Sequence, residues 1–180
     1  MKDFLKSNYG FSDYQVAQLS HLGKTLLSEF SKLLFMGICF YDILDVYAIA
    51  VGILLLLRTS TGGYHCKTYL TCLLSSFLYM LLCIRFFPLI LVPSGLRFPL
   101  LFLCMITNYC LGPVTSDVHV PLSEKRIKKG RLRALIIILL FSIVSSIVPD
   151  NKYIPICFWI IMVHTLQLIF AKIRKKGEQT

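Results

Sequence analysis

A histidine and a cysteine seven residues apart, His65 and Cys72, are the side chains of this 180-residue chain best suited to covalent chemistry. A thiolate is a nucleophile, and an imidazole can take the thiol proton and return it to a leaving amine. Both lie in RTSTGGYHCKTYLTC, residues 58–72, between two apolar runs. On one continuous helix they would share a face yet stand about 10 Å apart along the axis, at about 1.5 Å per residue. That is beyond hydrogen-bond reach. A working pair therefore needs His65 on a turn, folded back over a helix that starts near Tyr69. Gly62-Gly63 permits such a turn, and neither glycine serves helix stability, since each costs about 1 kcal/mol against alanine in a helix interior. Cys72 would then fall in or just after the first helical turn, where the helix dipole and a nearby imidazolium favour the thiolate. Spacing alone leaves a second reading open, in which His65 and Cys72 are boundary and packing residues.

The elements that must position this stretch are hydrophobic. Of the residues, 56% are hydrophobic and 16% charged, and the mean hydropathy is +0.72, which excludes a soluble domain with one core. Crossing about 30 Å of hydrocarbon takes about 20 apolar residues as a helix. Runs of that kind occupy 36–57, 69–92, 98–111, 134–148 and 153–171, with Pro88 expected to end or kink the second. Pro93-Ser94-Gly95 and Pro149-Asp150-Asn151 supply turn chemistry between them. The segment 14–34 repeats apolar residues at helical spacing but carries His21, Lys24, Glu29 and Lys32. It is either a weak span or an interfacial amphipathic helix. The expected fold class is an all-α, polytopic membrane protein with about six hydrophobic helical segments. It forms one domain over 1–180, with an amphipathic or weakly spanning segment at 1–35, the candidate catalytic loop and helix start at 58–72, and a basic loop at 112–133.

The formal charge of +10 is concentrated. Lys125, Arg126, Lys128, Lys129, Arg131 and Arg133 form one cluster and Lys172, Arg174, Lys175 and Lys176 another, together 10 of the 19 basic residues. Both abut apolar runs and neither is interleaved with aromatics, so a membrane surface or an acidic peptide is the expected partner and nucleic acid is not. From residue 58 onward, the 58–67 and 112–133 stretches and the tail carry 12 Lys and Arg, against Arg85, Arg97 and Lys152 on the other connections. The positive-inside rule places the basic side in the cytoplasm. The seven cysteines, at 39, 66, 72, 83, 104, 110 and 157, form no C-x-x-C pair, so neither a zinc site nor a disulfide framework is expected, and no metal or cofactor is called for. The N-terminus lacks the apolar stretch of a cleavable signal peptide.

Arg58, Gly62-Gly63, His65 and Cys72, followed by a span and then by Pro113 and Pro121 ahead of the Lys/Arg-rich stretch, resemble the accessory gene regulator B proteins of Gram-positive quorum sensing. The resemblance covers most of the chain. It implies a membrane-embedded cysteine endopeptidase that cuts a small pro-peptide near an acidic C-terminal tail, with His65 and Cys72 as the catalytic pair. It also implies a thioester on Cys72, displaced by a cysteine or serine of the peptide to close a thiolactone or lactone autoinducer. The same spacing favours Cys72 over Cys66, which adjoins His65. Candidate substrate contacts are Arg58, which could equally mark the end of a span, and Lys125, Arg126, Lys128 and Lys129, whose field would draw an anionic tail. Membrane lipids are further expected partners, and a homodimer is admitted.

The polar residues left over define the rival readings. Asp42, Asp45 and Arg85 lie at depths of about 22, 18 and 24 Å along their helices. They are expected to form a structural ion pair; in a non-enzymatic peptide transporter or export partner they would line a path instead. A membrane scaffold without chemistry is a third possibility. His21 and His119 read as ordinary polar positions; for His164, with Gln167 one turn on in the last run, a polar contact near the site is the lesser alternative.

Overall fold

The expected apolar runs are helices in the computed structural model, which describes residues 12–62, 68–90, 92–113 and 123–177. Among the described residues six α-helices follow one another: α1 (Asp13–Cys39), α2 (Leu44–Thr61), α3 (Tyr69–Leu81), α4 (Ser94–Leu111), α5 (Glu124–Ile147) and α6 (Tyr153–Gly177). There is no strand among the described residues. Five stretches of the described residues, Tyr41–Thr61, Tyr69–Leu89, Ser94–Leu111, Glu124–Ile147 and Tyr153–Arg174, are long and apolar enough to cross a membrane. A helix suits hydrocarbon because it satisfies its backbone polar groups internally.

The chain divides into two compact units, Met1–Asp42 and Ile43–Thr180. In the first, α1 is 27 residues long and is not one of the five candidate spans. Lys32 on it is buried, and its ammonium bonds the Glu29 carboxylate one turn earlier at 2.5 Å. One of the costly charges of this segment is thereby paired within its own helix.

In the second unit α2, α5, α4 and α6 form a ring of four, each packed on the next and α6 closing on α2. The core between them contains Leu57, Leu101, Ile138, Phe141, Phe158 and Ile161. In hydrocarbon such a core is held by close packing and dispersion rather than by exclusion of water. The helix most enclosed is α6: 56% of its apolar stretch is buried, against 17–33% in the other four. Outside the ring, α3 is fastened to α6 by its distal half, where the Tyr79 hydroxyl donates to the Ile160 carbonyl at 2.9 Å and Phe87 lies against Trp159 at 4.9 Å. Pro88 lacks an N–H and crowds the carbonyl one turn before it. Accordingly α3 widens into a π-turn at Leu82–Phe86 and tightens into a 3-10 turn at Phe87–Leu89.

The basic stretch departs from the sequence reading. It was expected as a loop over 112–133, yet the chain is helical from Glu124 onward. Hydropathy marks only where the apolar run starts, at Ala134, whereas Lys and Arg are good helix formers and Glu124 suits the positive end of the helix dipole. At the opposite end of the ring, Lys152 donates to Asp45 Oδ2 at 2.6 Å and the Tyr153 hydroxyl to the same oxygen at 2.8 Å. The partner observed for Asp45 is thus the connection before α6. These contacts, to Asp45 first and then Tyr153, hold the Lys152 ammonium above its ordinary pKa. What the pair contributes is present below the unfolded lysine value and lost as pH rises through the folded one, so it persists at neutral pH.

Candidate active site

The sequence TYLTC sets where α3 begins. Thr68 is extended (φ −116°, ψ 153°) and caps the helix, its Oγ1 accepting from the Thr71 N–H at 3.4 Å, while the Thr71 hydroxyl bonds back to the Thr68 carbonyl at 3.0 Å. Cys72 follows as the fourth helical residue, its N–H closing the first turn on the Thr68 carbonyl at 3.1 Å. The Cys72 side chain is half-buried and forms no disulfide. On the other side of the connection α2 stops at Thr61, and Gly62 takes φ 75°, ψ −161°, a region essentially closed to residues with a β-carbon. The expected helix start near Tyr69 is present, and Gly62 takes a glycine-favouring conformation at the end of α2. His65, Cys66 and Gly63 lie outside the described residues, so the separation of His65 from Cys72 does too.

The end of α2, the last turns of α4 and the middle of α6 converge on a buried polar junction. His164 Nε2 lies 2.9 Å from Thr61 Oγ1, and the Thr61 hydroxyl donates to the Leu57 carbonyl at 2.9 Å. A hydroxyl has a single hydrogen, so the bond between them requires Nε2–H as donor. The next residue of α6, Thr165, accepts from Asn108 Nδ2 at 2.7 Å, which ties α4 to the same level. Small residues permit the approach. A β-carbon on Gly112 would stand 3.1 Å from the Thr61 methyl, and one on Gly130 would run into the Ser60 carbonyl oxygen.

The predicted substrate contacts divide by geometry. Arg58, one turn before Thr61, is half-buried, and its Nε is enclosed without a hydrogen-bond partner among the described residues. On α5 a stripe of Gly130, Ala134, Ile138, Phe141 and Ser145 is buried, whereas Lys125, Arg126, Lys128 and Lys129 are exposed. Arg131 is engaged structurally: its Nε donates to the Gly112 carbonyl at 2.7 Å, and its guanidinium lies 6.0 Å from the Tyr109 ring. Sequence reasoning raised His164 only as a lesser alternative and missed Thr61, Asn108, Gly112 and Gly130. Asn108 and Gly130 sit in or beside apolar runs, where a polar or small residue has a packing reason, and that was the available signal.

Together these features define a polytopic α-helical membrane protein with a cysteine at a helix start and a buried polar junction at the end of α2. The family model for accessory gene regulator B matches residues 4–170. The chain belongs to that family. No curated protein and no solved structure matches it. Membership is consistent with a role in autoinducing-peptide processing, and the family implies a pro-peptide substrate.

Proposed function

We propose that the protein is a cysteine endopeptidase that removes the acidic C-terminal tail from a small quorum-sensing pro-peptide, with Cys72 as nucleophile and His65 as its base. The observation that carries the reading is the placement of Cys72 in the first turn of a capped helix, with Gly62 in a glycine-only conformation at the end of α2. His65 takes the thiol proton and the sulfur attacks the scissile carbonyl. The carbon–nitrogen bond breaks, and the proton passes to the leaving amine of the tail. The remaining peptide is held as a thioester. A thiol or hydroxyl within it attacks that carbonyl and closes the ring, its proton returning to the Cys72 sulfur. Backbone N–H groups at the start of α3 are the donors best placed for the oxyanion. A nucleophile at the membrane edge favours ring closure over hydrolysis because it limits water.

The basic end of the bundle faces the cytoplasm in this reading, as the distribution of Lys and Arg directs. The acidic tail is drawn by Lys125, Arg126, Lys128 and Lys129, and its carboxylates have an enclosed guanidinium donor in Arg58. The test is cleavage of an acidic-tailed pro-peptide by the full chain in liposomes. Cys72→Ala is expected to insert and bind peptide but not cleave it. Undiminished cleavage by Cys72→Ala would reject the reading and favour the transporter, for which peptide uptake into sealed vesicles is the corresponding assay.

A further inference from the structure

Thr61 is the last residue of α2, one residue before the Gly62 turn, and it is held from two sides. Its methyl packs on Gly112 and its hydroxyl receives the Nε2–H of His164. Both Thr61 and His164 are buried, at 0% and 1% exposure. An apolar side chain would fill the His164 position in the most enclosed helix without the cost of burying an imidazole. The imidazole is moreover only half satisfied: Nδ1 is buried with no hydrogen-bond partner among the described residues. Stability alone does not account for this residue. What it does hold is the point at which the chain leaves α2.

We propose that His164 is a positioning residue for the catalytic histidine. By donating to Thr61 it fixes the end of α2 from which Gly62 carries the chain to His65. The inference rests on the reading of His65 and Cys72 as the catalytic pair. A displacement of about 1 Å at a reacting group costs as much as a hundredfold in rate, so a tether four residues from His65 has leverage on the chemistry although it acts through Thr61 and the turn.

The experiment measures iodoacetamide alkylation of Cys72 at neutral pH in the full chain in detergent, read by mass on the peptide that contains it. His65→Ala is expected to slow alkylation. His164→Leu and Thr61→Val, which keep the volume and remove the bond, should each slow it by about tenfold or more, toward the His65→Ala rate. Adding His164→Leu to His65→Ala should slow it no further. His164→Gln, whose amide nitrogen can take the place of Nε2, should stay within about threefold of the parent. Unchanged alkylation in His65→Ala would reject the catalytic pair and this inference with it. A slow His65→Ala beside parental rates in Thr61→Val and His164→Leu would overturn the positioning role alone, as would further slowing in the double variant. Should His164→Leu fail to fold, Thr61→Val and His164→Gln decide the matter.

Discussion

At the scale of single residues, the geometric condition set by His65 and Cys72 is the most informative feature. Seven residues on a helix separate them too widely, so the chain had to turn after Gly62 and start a new helix near Tyr69. Gly62 at φ 75° ends α2 and the Thr68 cap starts the new helix, while the separation of His65 from Cys72 lies outside the described residues. Gly62→Ala should cost about 1–3 kcal/mol of local strain and slow cleavage, a loss seen as lower kcat in protein that still inserts. His65→Ala should lower the rate by about 10² to 10⁴, the range typical of general acid–base catalysis. That deficit should shrink at high pH, where the thiol ionises unaided, so a pH–rate profile of the variant distinguishes a lost base from a lost fold. Cys66→Ala should cost little. The hydroxyl and amide partners of the junction were not legible, because a sequence does not show that Thr61 and His164, 103 positions apart, meet.

At the scale of elements, the helical start of α5 changes what the basic cluster can do. A flexible loop would present all six cations alike. The helix buries Gly130 and Ala134 against its neighbours, commits Arg131 to the Gly112 carbonyl, and leaves Lys125, Arg126, Lys128 and Lys129 exposed. Replacing those four by glutamine should raise KM more than it lowers kcat, whereas Arg131→Gln should disturb the junction and lower kcat or stability. Peptide binding by the parent should weaken with salt, since exposed charges more than about 8 Å apart are largely screened at physiological ionic strength. Unchanged KM in a correctly inserted quadruple variant would mean that the cluster sets topology only. The spans themselves were readable from apolar run length. Their ends were less so where helix continues through charged residues, as at Glu124, and Pro88 was readable because its missing N–H has a fixed consequence.

At the scale of the whole molecule, the ring of four helices brings the Gly62 turn, the end of α4 and the basic start of α5 to one end, and the Asp45–Lys152 pair to the other. Labelling of single cysteines by an impermeant reagent in intact cells should therefore miss positions in 58–67, 112–133 and the C-terminal tail. Strong labelling within 112–133 would reverse the orientation. The bundle and its polarity follow from composition and charge, which act over whole segments; how α6 becomes the enclosed helix depends on packing that no single run of sequence displays. The role proposed for this bundle stands or falls on one covalent intermediate, a thioester between Cys72 and the peptide that has lost its tail. Quenching a reaction of the full chain with its pro-peptide at low pH, digesting, and weighing the fragments should give the adduct on the peptide containing Cys72 and none on that containing Cys66. An adduct on another cysteine, or tail release with no thiol adduct and undiminished in Cys72→Ala, would contradict it.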